Sequence, residues 1–209
     1  MTIARPSTTR ERILEAALDL FNRKGSVDVT THDVAAACGI SPGNLYYHFR
    51  NKEDIVRALF DQSLETHRRR ETTGRDPGAG RTLEDDLAFL KEFNWRYRFF
   101  KRELPTLLQR DRALRQAFLA FQQEHLDRLE AGIRDAVACG DLRALDAPGR
   151  RALAELSWMV ILFWPSFVEL GGRLTRSDMD RGIDLVQWLF ASQAARPPAA
   201  RARARSRAS

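Results

Sequence analysis

The chain is poor in the residues that covalent or metal scaffolds need. Its only two cysteines in 209 residues, Cys38 and Cys139, stand far apart with no companion at metal-ligand spacing. That pattern excludes a disulfide framework and points to reduced, structural thiols with no bound metal. Strand signals are missing too: there are no alternating β-branched runs, and Gly and Pro fall between periodic segments instead of at hairpin spacing. The longest strongly apolar stretch, Leu156 to Val168, is bounded by Glu155 and Glu169. It falls short of the about 20 residues a membrane span requires, so no membrane role is expected. The first residues, MTIARPSTTRER, hold no apolar signal region, so a cytoplasmic location is expected. The four histidines, at 32, 48, 67 and 125, have no Ser, Cys or carboxylate partner in a recognisable catalytic motif. There is also no phosphate-binding loop, so neither an enzyme nor a cofactor is expected. Even the positive charge is less than it looks. Five of the six net charges are the arginines at 196, 201, 203, 205 and 207, so global charge is no argument for nucleic acid binding.

What remains is helix. Hydrophobic residues make up 44% of the chain, enough to bury a core, and they recur at helical spacing. Thr8 and Glu11 form a capping box for a helix over Thr9 to Lys24, stopped by Gly25. Thr30 and Asp33 cap a short helix over Thr31 to Cys38, with Val34, Ala37 and Cys38 inward and Gly39 at its end. Ser41 as N-cap and Pro42 at the first helical position start a third helix that reaches His48. Asn51 caps a fourth, with Glu53 and Asp54 in its first turn, extending to about Arg70. A loop is expected over 72–81. A helix from Thr82 to about Arg102 follows, then a short segment after Pro105 and a long helix over about Asp111 to Cys139. Two more span about 148–170, kinked at Pro165, and 176–193. The tail from 196 is expected to be a disordered basic segment that adds at most nonspecific DNA affinity.

Two short helices joined by a tight glycine turn have the punctuation of a helix-turn-helix. A recognition helix needs small, polar side chains at its N-terminal end so that its backbone can approach base edges and phosphates. Ser41, Pro42, Gly43 and Asn44 meet that need. Leu45 and Phe49 anchor the helix, and Tyr46, Tyr47 and His48 project outward, an arrangement that costs free energy unless something binds there.

Residues 9–56 resemble the DNA-binding domain of the TetR family of bacterial regulators. The resemblance is carried by I-L-E-A-A-L-D-L-F, the glycine at 25, T-T-H-D-V-A, C-G-I-S-P-G-N-L-Y-Y-H-F and N-K-E-D-I-V. It implies that Thr31 touches phosphate, that His32 reaches phosphate or a base edge, and that Ser41, Pro42, Gly43 and Asn44 sit in the major groove. Tyr46, Tyr47 and His48 would meet the backbone, and Lys52 would pair with phosphate. Many relatives carry Arg where this chain has His32, which weakens the positive charge there.

The expected architecture is all-α, with a DNA-binding domain over 1–56 and an effector-binding and dimerisation domain over 57–195. In the latter, aromatic residues fall on several faces of their helices. Phe93, Trp95, Phe99, His125, Trp158, Phe163 and Trp164 are candidates for a pocket holding a small apolar molecule, with plain core packing as the alternative. Leu156, Val160, Phe167, Ile183, Val186 and Phe190 are candidates for a four-helix dimer interface. The implied activity is that of a homodimeric regulator, most simply a repressor released from a palindromic double-stranded operator by its effector. The rivals are an architectural DNA protein, which would ignore sequence, and an enzyme on a helical scaffold, which would need a convergent acid–base group.

Overall fold

The computed structural model describes residues 8–73 and 82–195. Among these residues the chain is helical throughout: α1 Thr9–Lys24, α2 Thr31–Cys38, α3 Pro42–His48, α4 Lys52–Thr73, α5 Leu83–Arg96, α6 Arg98–Arg110, α7 Arg112–Ala138, α8 Ala147–Glu169 and α9 Arg176–Ser192. β pairing among the described residues is limited to an isolated bridge between Leu142 and Ala194. The expected basic tail lies outside the described residues. So does the loop over 72–81 apart from its first two residues, which continue α4.

Two compact units divide the chain at Arg115 and Gln116. In the first, the capping residues act as the sequence predicts. Thr8, Thr30 and Thr82 each accept from the backbone of the third helical residue, whose own carboxylate reaches back to the cap. Asn51 accepts the Asp54 N–H at 2.8 Å and so starts α4. The core joins Ile13, Ala17 and Phe21 of α1 to Val34 of α2, Leu45 of α3, and Ile55 and Leu59 of α4, with Phe49 following α3. On α2 the inward alanine is Ala35; the expected Ala37 is exposed, because the helix turns Val34, Ala35 and Cys38 together towards α1.

The segment from Leu83 to Arg110 departs from expectation. Instead of one helix to Arg102 and a separate short segment after Pro105, there are two helices that break at Tyr97, and α6 runs through Pro105. The break is held by a side chain from a distant helix. Asn22 of α1 donates to the Arg96 carbonyl at 2.7 Å and accepts the Phe99 N–H at 3.1 Å, satisfying backbone groups that the interrupted ladder releases. No local signal around Tyr97 announces this, since the partner lies more than seventy residues away.

In the second unit, Leu126 and Ile133 of α7, Leu142 of the following loop, and Leu153 and Ala154 of α8 form the core, with Leu189 and Phe190 of α9 packed against it. Helices α8 and α9 approach closely because Gly182 has no side chain. A Cβ there would lie 2.7 Å from Trp164 Cδ1, and the same indole donates to the Asp178 carbonyl at 2.7 Å. Helix α8 continues through Pro165, which is buried. At 23 residues it is long and apolar enough, by length and composition, to cross a membrane, contrary to the reading of its apolar stretch as too short. Its apolar residues lie on two opposite sides, of which one is covered. Leu153, Ala154, Leu162 and Pro165 are buried, whereas Leu156, Met159, Phe163 and Phe167 are exposed.

Candidate nucleic-acid interface

The turn between α2 and α3 is closed by backbone hydrogen bonds and one left-handed residue. Gly39 adopts φ 65° and ψ 36°, and the Ile40 N–H donates to the Ala35 carbonyl at 3.1 Å. A Cβ at Gly39 would meet nothing within 4 Å, so the demand for glycine is conformational and not steric. Ser41 then caps α3, its hydroxyl accepting the Asn44 N–H at 3.2 Å.

The helix so begun is divided cleanly. Leu45 is fully buried and Phe49 nearly so, which fixes the middle and the C-terminal end of α3 to the core. Ser41, Pro42, Gly43 and Asn44 are all exposed at its open end. Tyr46 is 47% exposed and its hydroxyl lies 3.0 Å from Thr31 Oγ1, which brings the start of α2 and the middle of α3 to one edge. Tyr47 is 85% exposed with its ring edge-on to His48, which is half-buried. His32 is exposed beside Thr31. Nine of the expected contact residues thus lie on or beside the α2–α3 surface.

Lys52 is different. Its ammonium donates to the carbonyls of Ser26, Val27 (3.3 Å) and Val29 (2.9 Å), which uses its three N–H groups on the α1–α2 loop. A cation passed over in the sequence does reach this region: the Arg10 guanidinium lies 5.0 Å from the centre of the Phe49 ring, at the foot of α3. Its signal is its place in the first turn of α1, where it is one of two arginines.

Neighbouring ionisable groups serve structure. The Thr30 hydroxyl and backbone N–H hold the Asp33 carboxyl below its usual range. Burial pushes the Cys38 thiol up, and its Sγ packs 3.4 Å from the Arg12 carbonyl. No group of three or more His, Cys, Asp or Glu side chains among the described residues could hold a metal ion.

The aromatic candidates fall into two sets. In the first unit, Phe99 is fully buried against Phe21 as a core side chain, Phe93 stacks between Phe89 and Tyr97, and Trp95 lies under the Arg98 guanidinium at 4.0 Å. In the second, His125 and Trp158 are brought together with ring centres 4.5 Å apart and Phe121 beside both, Phe163 is exposed, and Trp164 fastens α9. Of the interface candidates, Leu156 and Phe167 are exposed, while Val160, Val186 and Phe190 are half-buried. Ile183 is only 3% exposed and belongs to the interior of its own chain. Met159, Leu170 and Trp188, not singled out in the sequence, are exposed. Met159 and Leu170 complete the three- and four-residue spacing of Leu156, Phe163 and Phe167, a period the sequence does display.

Comparison with known proteins agrees with this geometry. The family profile described as bacterial regulatory proteins, tetR family, matches residues 13–59, and one described as a bacterial transcriptional repressor, TetR, matches residues 62–199. A TetR-family transcriptional regulator from Marinobacter aquaeolei, known from its crystal structure, is 33% identical; the match covers 90% of this chain and 91% of that one, with a TM-score of 0.76. The HTH-type transcriptional regulator TtgR of Pseudomonas putida is 42% identical over 59 residues, which is 28% of either chain. Likeness to that curated relative is therefore confined to little more than a quarter of either chain. AibR, solved in complex with isovaleryl coenzyme A and operator DNA, shares the fold at 21% identity and a TM-score of 0.60, over 88% of this chain and 98% of that one. The chain belongs to the TetR family of bacterial regulatory proteins.

Proposed function

We propose that this chain is a cytoplasmic, non-enzymatic repressor that binds a palindromic operator as a homodimer and is released when a small apolar molecule binds its larger C-terminal part. The observation that carries the reading is the open end of α3. Four small or polar residues, Ser41 to Asn44, stand exposed there while Leu45 and Phe49 lock the helix to the core. Such an end lets backbone and short side chains enter a major groove. Thr31, His32, Tyr46, Tyr47 and His48 flank it at the right edge for phosphate, with Arg10 adding charge. Lys52 acts by ordering the α1–α2 loop beside them.

Residues 1–56 are the DNA-reading part in this account and 57–195 the effector and dimerisation part. One reading head offers too few base contacts for tight specific binding, so two are needed, delivered about one helical turn apart. The exposed apolar stripe of α8 supports pairing, because a helix with two apolar sides requires cover on both. The Phe121, His125 and Trp158 cluster is the best-supported effector contact, and a coupling of roughly 1–3 kcal/mol would suffice to release the operator. AibR, bound to both an acyl coenzyme A and operator DNA, is an example of the same fold meeting two ligands.

Selection of bound duplexes from a random pool tests the reading. A palindrome should emerge, with an affinity that falls as salt rises. Recovery of unrelated sequences with equal affinity would instead favour the architectural alternative.

A further inference from the structure

The α1–α2 loop is gripped from two sides at a single residue. Ser26 is buried, and its N–H donates to both carboxylate oxygens of Glu103 on α6, at 2.8 and 3.0 Å, while its hydroxyl donates to Glu103 Oε2. The Ser26 carbonyl accepts from Lys52 of α4. An anion and a cation from different helices thus hold opposite ends of one loop residue through charge-assisted bonds, the stronger kind. The approach is close, since a Cβ on Gly25 would lie 3.2 Å from Glu103 Oε1.

A second set of bonds runs parallel to the first. Asn22, in the last turn of α1, closes the break before α6 through Arg96 and Phe99, and the Arg102 guanidinium donates to the Asn22 carbonyl at 3.3 Å. Helix α6 therefore holds the end of α1 and the loop that leads into α2. That loop is the covalent lead-in to the α2–α3 pair, so its placement fixes where the pair starts.

We propose that Glu103 is a positioning residue for DNA recognition. Through Ser26 it sets the α1–α2 loop, and hence the placement of α2 and α3, and it gives α6 a route to the reading head separate from α4. The inference rests on the DNA-binding function proposed above. It needs no particular effector.

The role separates from simple stability by what is lost. Phosphate attraction tolerates small displacements of a helix, whereas base-edge contacts do not. In Glu103→Ala, measured by fluorescence anisotropy well below the melting temperature, affinity for the selected palindrome should fall about tenfold, while affinity for a scrambled duplex stays within about twofold. Glu103→Gln keeps one acceptor for the Ser26 N–H and should fall between wild type and Glu103→Ala, with the same selectivity. It also serves if the alanine variant fails to fold. Amide hydrogen exchange without DNA gives an independent reading: protection should drop across residues 25–38 and remain in the middle of α1. An unchanged palindrome affinity, an equal loss on both duplexes, or unaltered exchange at Ser26 would overturn the proposal. If wild type itself showed no preference between the duplexes, the sequence-specific function proposed above would fail, and the exchange result would still judge the role of Glu103.

Discussion

The two units differ in what they put between their helices. Of the six buried polar or charged residues described, Ser26, Ser63, Asn94, Lys101 and Asp111 lie in the first unit and Ser157 alone in the second. In the first unit, seams are fixed by directional bonds: Glu103 to Ser26, Asn22 to the α5–α6 break, Arg57 to both Asp54 and Asp111, and Arg96 to Glu15 at 2.6 Å. The second unit has directional bonds of its own, such as Trp164 to the Asp178 carbonyl, but it buries few polar groups and leaves much apolar surface uncovered, with Phe167 64% and Trp188 68% exposed. Polar seams that are fully satisfied select one arrangement, while an open apolar face is indifferent to its partner but costly without one. A reading head must hold a register against DNA. A dimerisation face mainly needs cover.

The largest effect should come from charging that open face. Phe163→Asp combined with Phe167→Asp should separate two chains into monomers, costing about 3 kcal/mol or more of association, as seen by sedimentation velocity. Helicity should persist, because neither ring belongs to the buried core of its own unit. A variant that stayed dimeric would move the interface off α8.

Next is Gly182→Ala, which sets a methyl against the Trp164 ring and should cost roughly 1–3 kcal/mol in thermal or denaturant unfolding. A neutral result would mean that α8 and α9 are free to separate.

The polar unit has its own test in Lys101, whose ammonium bonds to Asn94. Burial pulls this lysine from 10.5 down to about 7. Above pH 7 the folded chain gives up the proton while the unfolded chain keeps it until the ordinary lysine range, so stability should rise with pH across that window. The gain between pH 7 and 8 should be about 1 kcal/mol, since the limiting slope is about 1.4 kcal/mol per pH unit. Lys101→Met should remove this gain, and an identical pH profile would show that the lysine stays charged.

The smallest effect on stability is at Tyr47. Its ring is 85% exposed, so Tyr47→Ala should leave unfolding unchanged within about 0.5 kcal/mol. Its DNA affinity should fall by about 1 kcal/mol.

These contrasts also explain what the sequence made legible. Helix starts were readable because each cap is local: Thr30 with Asp33, Ser41 with Asn44, Asn51 with Asp54. The exposed α2–α3 edge was readable for the same reason, since α2, its glycine turn and α3 occupy eighteen consecutive residues. The break at Tyr97 was not, because Asn22 makes it. Nor was the use of Lys52, whose acceptors are carbonyls of a loop some twenty-five residues earlier. Nor were the surroundings of the aromatic candidates, since composition does not distinguish Phe99, sealed against Phe21, from Phe163, open to solvent.

The central claim is that the Ser41 end of α3 enters a major groove twice per complex. Methylation protection of the selected operator tests this directly, because the reagent attacks guanine N7 in that groove. Two protected patches about one helical turn apart, both lost in Asn44→Ala while the protein remains folded, are the predicted result. A single patch, or protection unchanged by that substitution, would contradict it.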